Sequence, residues 1–446
     1  MNDTIAAIAT AHGVASISII RLSGPRAPEI ARRIAPSASL RPRHAQLCDL
    51  CDAAGELIDR GIVLYFQAPH SYTGEEIVEF QTHGGLVVAE QILESARAHR
   101  ARLAEPGEFS KRAFLNGKID LSEAEAIAKI IEAKSVDAAR ILARQIKGEL
   151  GRFVEESREA LLRALAHSEV MIDYAEEDIP EDLIEGLKEQ LTGLQSSLEH
   201  IVQSSRRRRG LIEGFRVAIV GKPNVGKSSL LNALLSYERA IVSEIAGTTR
   251  DTIEEQIRIG SHIVRIIDTA GIRRTEDRVE KIGVERSLAS LEEAEIVIAL
   301  FDASRPWDEE DEEILKRLED LQDKELIVAL NKTDLPRRLE EPRLERFALL
   351  EISARRNFAH LLEALEKHLD SLGRDEELML ASARQIEAVE ECARQIAAAL
   401  APLSAGELEL FSYHIQEAIR AISQITRPYE SEEILDRMFG EFCLGK

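Results

Sequence analysis

Eight consecutive residues, Gly221-Lys222-Pro223-Asn224-Val225-Gly226-Lys227-Ser228, have the spacing of a loop that closes around phosphate oxygens. Glycines let backbone N–H groups approach the anion, and the N-terminus of a following helix adds positive potential. Lys227 is placed to reach the β- and γ-phosphates and the Ser228 hydroxyl to bind Mg²⁺, with Val225, Gly226 and Ser229 as neighbouring contacts. Three further segments carry matching chemistry. In Asp268-Thr269-Ala270-Gly271 the carboxylate of Asp268 touches the Mg²⁺ shell through water, and the Gly271 N–H meets the γ-phosphate. In Asn331-Lys332-Thr333-Asp334 the Asp334 carboxylate accepts two N–H bonds from guanine, whereas adenine would leave it unpaired. Ser353-Ala354 resembles the backbone guanine contact of GTPases. Four such elements in this order predict a domain that binds and hydrolyses GTP.

One position departs from the common pattern. Ile272 follows Gly271, where many small GTPases place a glutamine that orients the attacking water. Another group must hold the water, and another positive charge must act on the phosphates. Asn224, inside the phosphate loop, is a candidate ligand for a monovalent cation. Backbone carbonyls of Ser243-Glu244-Ile245-Ala246-Gly247-Thr248-Thr249 are candidates to wrap that cation, with Thr249 as the switch threonine for Mg²⁺. Glu280 is a candidate water-positioning base, although its spacing alone reads as a solvated carboxylate.

These loops need strands to end on and helices to begin. From Phe215 the chain alternates β-rich runs (Phe215 to Val220, Ile263 to Ile267, Ile296 to Phe301, Leu326 to Leu330) with helical stretches, which predicts a mostly parallel, doubly wound sheet with helices on both faces. Residues 1–118 read as a separate mixed α/β domain, with β-type runs at Ile17 to Leu22 and Gly61 to Phe66. Residues 119–213 and 373–446 are helical in texture, so the nucleotide domain, 214–372, is expected as an insertion in one discontinuous helical domain. Ser122 and Glu125 predict a capping box at the first helix of that domain, and Arg206 to Arg209 a solvated linker into the insertion.

The 446 residues carry a formal charge of −22, so any binding to nucleic acid requires a local basic patch or a basic partner. Four cysteines (Cys48, Cys51, Cys392, Cys443) show no disulfide framework. Cys48 and Cys51, with His44 nearby, form a C-x-x-C too poor in ligands for a structural zinc site. Cys443 reads as a small apolar tail anchor or, beside Lys446, as a candidate catalytic thiol. Trp307 is expected as a surface-loop anchor. Neither a signal peptide nor a membrane span is evident, and a cytoplasmic location is expected.

The quoted nucleotide motifs, together with Ser71-Tyr72-Thr73-Gly74-Glu75, His83-Gly84-Gly85, Phe114-Leu115-Asn116-Gly117-Lys118 and the tail Phe442-Cys443-Leu444-Gly445-Lys446, resemble those of the tRNA modification GTPases known as MnmE or TrmE. The likeness spans nearly the whole chain. It implies a K⁺-stimulated GTPase that works as a homodimer with a flavin-containing (FAD) partner of the MnmG or GidA type, in a heterotetramer or larger assembly. The substrate would be the wobble uridine of certain tRNAs, modified at C5 to a carboxymethylaminomethyl-type uridine. The N-terminal domain would resemble folate-binding domains, form the dimer, and bind 5-formyltetrahydrofolate or a related folate through Arg21, Glu79, Lys118 and Lys446. Asn224, Ser243, Ile245 and Thr248 would ligate K⁺, and Glu280 would be the water-positioning base. The competing expectation is a ribosome-assembly or other translation-linked GTPase switch, which the N-terminal and tail motifs do not fit. A dynamin-like membrane GTPase lacks its apolar paddle here.

Overall fold

The structure, a computed structural model, describes residues 3–11, 13–173, 181–238, 255–267, 293–321, 324–347, 349–373, 377–427, 432–440 and 442. The chain divides into two compact units, one of Met1–Ile131, Gln145–Val170 and Ile415–Lys446, the other of Glu132–Arg144 and Met171–His414.

The first unit is built on a six-stranded sheet of order β3-β4-β5-β2-β1-β6. Its strands are β1 (Ile5–Ile8), β2 (Ile17–Ser23), β3 (Gln46–Cys51), β4 (Leu57–Phe66), β5 (Ile77–His83) and β6 (Arg102–Leu103). All pairings are antiparallel except β1 with β6. Successive side chains of a strand point to opposite faces. Ala6, Ile8, Ile20 and Leu22 therefore bury one face under the helices Ala27–Ile34 and Leu86–Ala98, while Ile5 and Ala7 meet Phe109 and Tyr72 on the other. Arg21 lies on this second face, between Ile20 and Leu22 in the strand. On β3, Cys48 is buried and Cys51 half-exposed, three residues on, and a register irregularity falls between Leu50 and Cys51. Among the described residues no His, Cys, Asp and Glu group is arranged to hold a metal ion.

The expected capping box at the first long helix is displaced by two residues. Helix Leu121–Glu132 is capped by Asp120, whose Oδ1 accepts from Glu123 N at 2.8 Å while Glu123 Oε2 accepts from Asp120 N at 2.8 Å. Ser122 donates to the same Asp120 oxygen instead of capping. A carboxylate takes this position because it answers both the orphan amides and the helix dipole.

The second unit contains the other six-stranded sheet, of order β12-β11-β10-β7-β9-β8. Its strands are β7 (Phe215–Val220), β8 (Glu255–Ile259), β9 (His262–Ile267), β10 (Ile296–Asp302), β11 (Glu325–Asn331) and β12 (Leu349–Glu351). Every pairing is parallel except the β8–β9 hairpin. All seven residues of β10 are buried, as expected of a strand covered on both faces. Val217 and Ile219 pack on one face with Leu230, Leu231 and Leu361; Ala218 packs on the other with Leu315 and Leu318. Each fully buried leucine contributes about 1.5–3 kcal/mol relative to exposure. The chain leaves β7 for β8 and β9 on one side and crosses to β10 on the other. That reversal opens a crevice at the C-terminal end of β7, the general location of ligand sites in open α/β sheets.

In the same unit, helices Glu181–Arg208 and Ala383–Ala405 pack along each other; Leu187, Leu191, Leu198 and Val202 of the first and Val389, Cys392 and Ile396 of the second are buried. Burial pushes the Cys392 thiol up to about 12, so it is an inert core residue. The arginine run continues a helix in place of the expected linker, although Arg206, Arg207 and Arg209 are solvent-exposed. Arg206–Arg208 form the last turn of Glu181–Arg208; Arg208 is buried and donates to the Glu377 carbonyl, and Arg206 pairs with Glu390 at 2.6 Å. Cations at a helix C-terminus are favoured by its dipole.

Candidate functional site

The phosphate loop follows β7 and runs into helix Lys227–Glu238. Gly226 has a φ of +113°, and a Cβ there would lie 2.2 Å from Asn331 Nδ2, so only glycine fits. Asn224 adopts a φ of +63°, a left-handed conformation that asparagine tolerates better than most side chains. The Lys227 ammonium donates to the carbonyls of Gly221 at 2.5 Å and Lys222 at 3.0 Å.

Asn331, at the end of β11, joins two loops. It is buried; its Nδ2 donates to Val225 O at 2.8 Å, and its Oδ1 accepts from Ala354 N at 2.9 Å. One side-chain amide thus fixes the phosphate loop relative to Ser353-Ala354. Lys332 donates to Asn224 O at 2.8 Å and to Asp302 Oδ2 at 2.6 Å. Asp334 Oδ1 accepts from Ser353 Oγ at 2.9 Å, which orients the carboxylate expected to read guanine. Thr333 closes the same pair of loops by donating twice to Ile352 O, from its amide and its hydroxyl. Asn224, Val225, Gly226, Lys227, Asn331, Lys332, Asp334, Ser353 and Ala354 therefore share one constellation; Ser228 and Ser229 open the helix beside it.

Four further residues support this constellation without having been singled out in the sequence. Asp302, at the end of β10, is buried. Burial alone would raise its pKa, but the Lys332 ammonium and the Ser304 hydroxyl and amide outweigh it and hold the carboxyl below the usual range. Lys222 is buried in the phosphate loop and donates at 2.6 Å to both Asp308 and Asp311. Those two aspartates form a capping box on helix Glu309–Glu319, and Lys222 holds Asp308 below its ordinary range. The only advance signal was the D-x-x-D spacing ahead of an acidic helix start. Trp307, the expected surface-loop anchor, stacks on Phe301 and donates to Glu312.

The first unit holds a second cluster. Arg21 and Glu79 are direct cross-strand partners, joined at 2.8 Å, with the Arg21 guanidinium 5.8 Å from the Tyr72 ring centre and 5.7 Å from that of Phe109. Lys118 is exposed, and its stem lies against Gly74. Beneath these, Arg112 is buried among Asp3, Glu75 and Glu108, at 2.8, 3.1 and 2.9 Å. Ser243, Glu244, Ile245, Ala246, Gly247, Thr248, Thr249, Asp268, Thr269, Ala270, Gly271, Glu280, Cys443 and Lys446 lie outside the described residues.

A phosphate loop at the switch point of a doubly wound sheet, locked to a guanine-reading loop through one asparagine, defines a GTPase of the P-loop class. The profile described as the N-terminus of the GTP-binding protein TrmE matches residues 4–118, and that of the MnmE helical domain matches residues 121–443. The tRNA modification GTPase MnmE of Sulfurovum sp. (strain NBC37-1) is 64% identical over 446 residues, covering 100% of this chain and 99% of that protein. The tRNA modification GTPase MnmE of Sulfurimonas denitrificans is 55% identical over 445 residues, covering 100% of this chain and 99% of that protein. Among solved structures, that of a variant of Aquifex aeolicus Era bound to GDP·AlF4⁻ is 28% identical, over 40% of this chain and 66% of that one, with a TM-score of 0.27. The chain belongs to the tRNA modification GTPase MnmE family.

Proposed function

We propose that this GTP hydrolase of tRNA modification is stimulated by K⁺ and acts as a homodimer. With a flavin-containing partner of the MnmG type, it would install a carboxymethylaminomethyl-type group at C5 of the wobble uridine of certain tRNAs, in the cytoplasm. The observation that carries the nucleotide half of this reading is the Asn331 lock. It joins the loop built for phosphate to the loop built for guanine, with Asp334 already oriented by Ser353. GTP binding then needs little reorganisation, which saves ordering cost.

In this reading Lys227 gives up its bonds to the Gly221 and Lys222 carbonyls for phosphate oxygens. Ser228 and Thr249 hold Mg²⁺, and Asp268 meets its shell through water. Asn224, Ser243, Ile245 and Thr248 hold K⁺, which supplies the charge that an arginine finger supplies elsewhere, and Glu280 orients water in place of glutamine. Arg21 and Glu79, with Tyr72 and Phe109 beside the guanidinium, offer a cation, an anion and aromatic surface, a donor set suited to a folate. Lys118 and Lys446 complete that proposed site, and Cys443 is proposed as a reactive thiol near it. Among the described residues no helix is long and apolar enough to cross a membrane.

The test is nucleoside mass spectrometry of tRNA from cells lacking the gene, complemented by the wild type or by Asp334→Asn. Loss of C5-modified wobble uridines, restored only by the wild type, is expected. Unchanged uridines in the deletion strain would overturn the reading. The potassium step is tested separately: GTP turnover should rise steeply when Na⁺ is replaced by K⁺, and equal rates in the two salts would remove that step.

A further inference from the structure

The chain carries 57 basic and 79 acidic residues, yet between residues 22 and 46 it holds five arginines (Arg26, Arg32, Arg33, Arg41, Arg43) and a single acidic residue, Glu29. We propose that this face of the N-terminal unit, extended by Arg100, is the docking surface for the phosphodiester backbone of tRNA. The proposal rests on the tRNA reading above and adds the place where the acidic chain accepts a polyanion.

The fold gathers these residues from three segments. Arg26 precedes helix Ala27–Ile34, and Arg33 lies in its last turn. Seven residues apart, they share one helix face about 10 Å apart along the axis. Glu29 lies between them, gripped by Arg26 through two bonds of 3.0 Å. Arg26 first, with Arg33 and Arg100 adding to it from beyond ion-pair distance, holds the Glu29 carboxyl below its ordinary range, and only Arg26 is bonded to it. Arg100 arrives from the turn after helix Leu86–Ala98.

The loop after the first helix supplies the rest. Pro42 bridges to Tyr65, Arg43 N donates to Tyr65 O at 2.8 Å, and the Arg43 guanidinium donates to His70 O at 3.0 Å. This pins a loop in which Arg43 takes a left-handed φ of +58°. The Tyr65 hydroxyl that borders this loop donates to Glu76 at 2.5 Å, with Arg32 acting on it more weakly, so one carboxylate stands beside the loop.

Three of these side chains are available. Arg33, Arg41 and Arg100 are exposed, and among the described residues none has an ion-pair partner. Arg32 and Arg33 have a local reason for their positions, since cations suit a helix C-terminus. Arg41 serves no helix end. An exposed guanidinium without a carboxylate matches a phosphate with two parallel hydrogen bonds. On a strongly acidic chain, RNA is repelled from most of the surface and settles where the local sign reverses. Phosphate contacts position RNA without reading its sequence, which suits a surface that must accept several tRNAs.

The experiment uses the full-length protein and total tRNA purified from bacterial cells, with the dissociation constant measured between about 50 and 200 mM salt. The variant carries Arg33→Ala, Arg41→Ala and Arg100→Ala. Its slope of log affinity against log salt should fall by about 2–3, and its affinity by about tenfold or more, because each lost phosphate contact removes about 0.7–0.9 from the slope. Basal GTP turnover should not change. Lysine at the same three positions should restore the slope. Wild-type binding with an unchanged triple variant, or a loss that lysine fails to restore, overturns the docking surface while leaving the tRNA reading intact. If the wild type binds no tRNA even with its flavin partner present, the tRNA reading fails and the surface with it.

Discussion

Two cations, Lys227 in the nucleotide site and Arg112 in the N-terminal unit, are held in different ways. At the end of the parallel sheet, Lys227 rests on the carbonyls of Gly221 and Lys222, and Lys332 on that of Asn224 as well as on Asp302. In the N-terminal unit, Arg112 on helix Glu108–Leu115 is surrounded by three carboxylates, and Arg21 on β2 faces Glu79. Neutral carbonyls are weaker partners for an ammonium than charged oxygens are. A phosphate offers Lys227 a stronger partner than either carbonyl and has nothing to offer Arg112. The carbonyl bonds of Lys227 can be traded for an anion; the Arg112 cluster is closed by its carboxylates and acts as framework. Lys332, with Asp302, and Lys222 depart from this in the nucleotide site, and Asp308 and Asp311 pair Lys222 as fully as Arg112 is paired. Lys222 anchors the loop and is not proposed to touch the nucleotide.

This contrast can be broken in order of effect. Asp334→Asn should weaken GTP binding by about four orders of magnitude, since the guanine N–H pair loses its acceptor, and should shift preference to xanthosine nucleotides. Titration calorimetry with both nucleotides measures this; undiminished GTP affinity would remove Asp334 from guanine recognition. Melting of the N-terminal unit should not move.

Arg112→Met should do the reverse. Removing one partner from a buried ion cluster costs about 3–5 kcal/mol. Denaturant unfolding followed in the N-terminal unit should show that loss while GTP affinity stays at the wild-type value. A stable Arg112→Met protein would mean that the cluster is not framework.

Lys222→Met should fall between the two regions. Loss of hydrogen bonds to charged groups costs about 1.5–3 kcal/mol. GTP affinity should fall about tenfold, with Lys222→Arg restoring part of it. A drop in turnover with unchanged affinity would contradict an anchoring role.

The smallest effect is acid dependence. Burial alone would raise the Glu108 pKa, but bonds from Arg102, Glu105 N and Arg112 outweigh it and hold the group below its ordinary 4.5. A depressed carboxyl stabilises fully above its unfolded pKa and loses that contribution as the pH falls through the folded value. The melting temperature of the N-terminal unit should stay level from about pH 7 to 5 and decline below about 4.5. A rise on acidification would reverse the assigned sign.

How much of each region was legible in advance follows from how it is built. The nucleotide site rests on contiguous motifs, because backbone amides of one short loop contact one ligand group; Gly221 to Ser228 and Asn331 to Asp334 announce themselves by spacing. The four long strands of the parallel sheet were legible from apolar runs such as Ile296 to Phe301. The Asp120 cap was missed because Ser122 and Glu125 offered the same spacing two residues on, and only the placement of the helix start decides between them. The arginine run at Arg206–Arg208 reads as polar in one dimension, yet the helix continues through it and buries Arg208.

By itself, the sequence determined the fold class, the order of the nucleotide loops and the chemistry each loop carries, because those depend on residue type and local spacing. Tertiary structure alone decided that Asn331 ties Val225 to Ala354, that Lys222 reaches Asp308 and Asp311, and that Arg112 gathers Asp3, Glu75 and Glu108. Those contacts join residues up to 109 positions apart. A one-dimensional pattern holds no record of such pairs, because their geometry is set by which strands become neighbours and in what register.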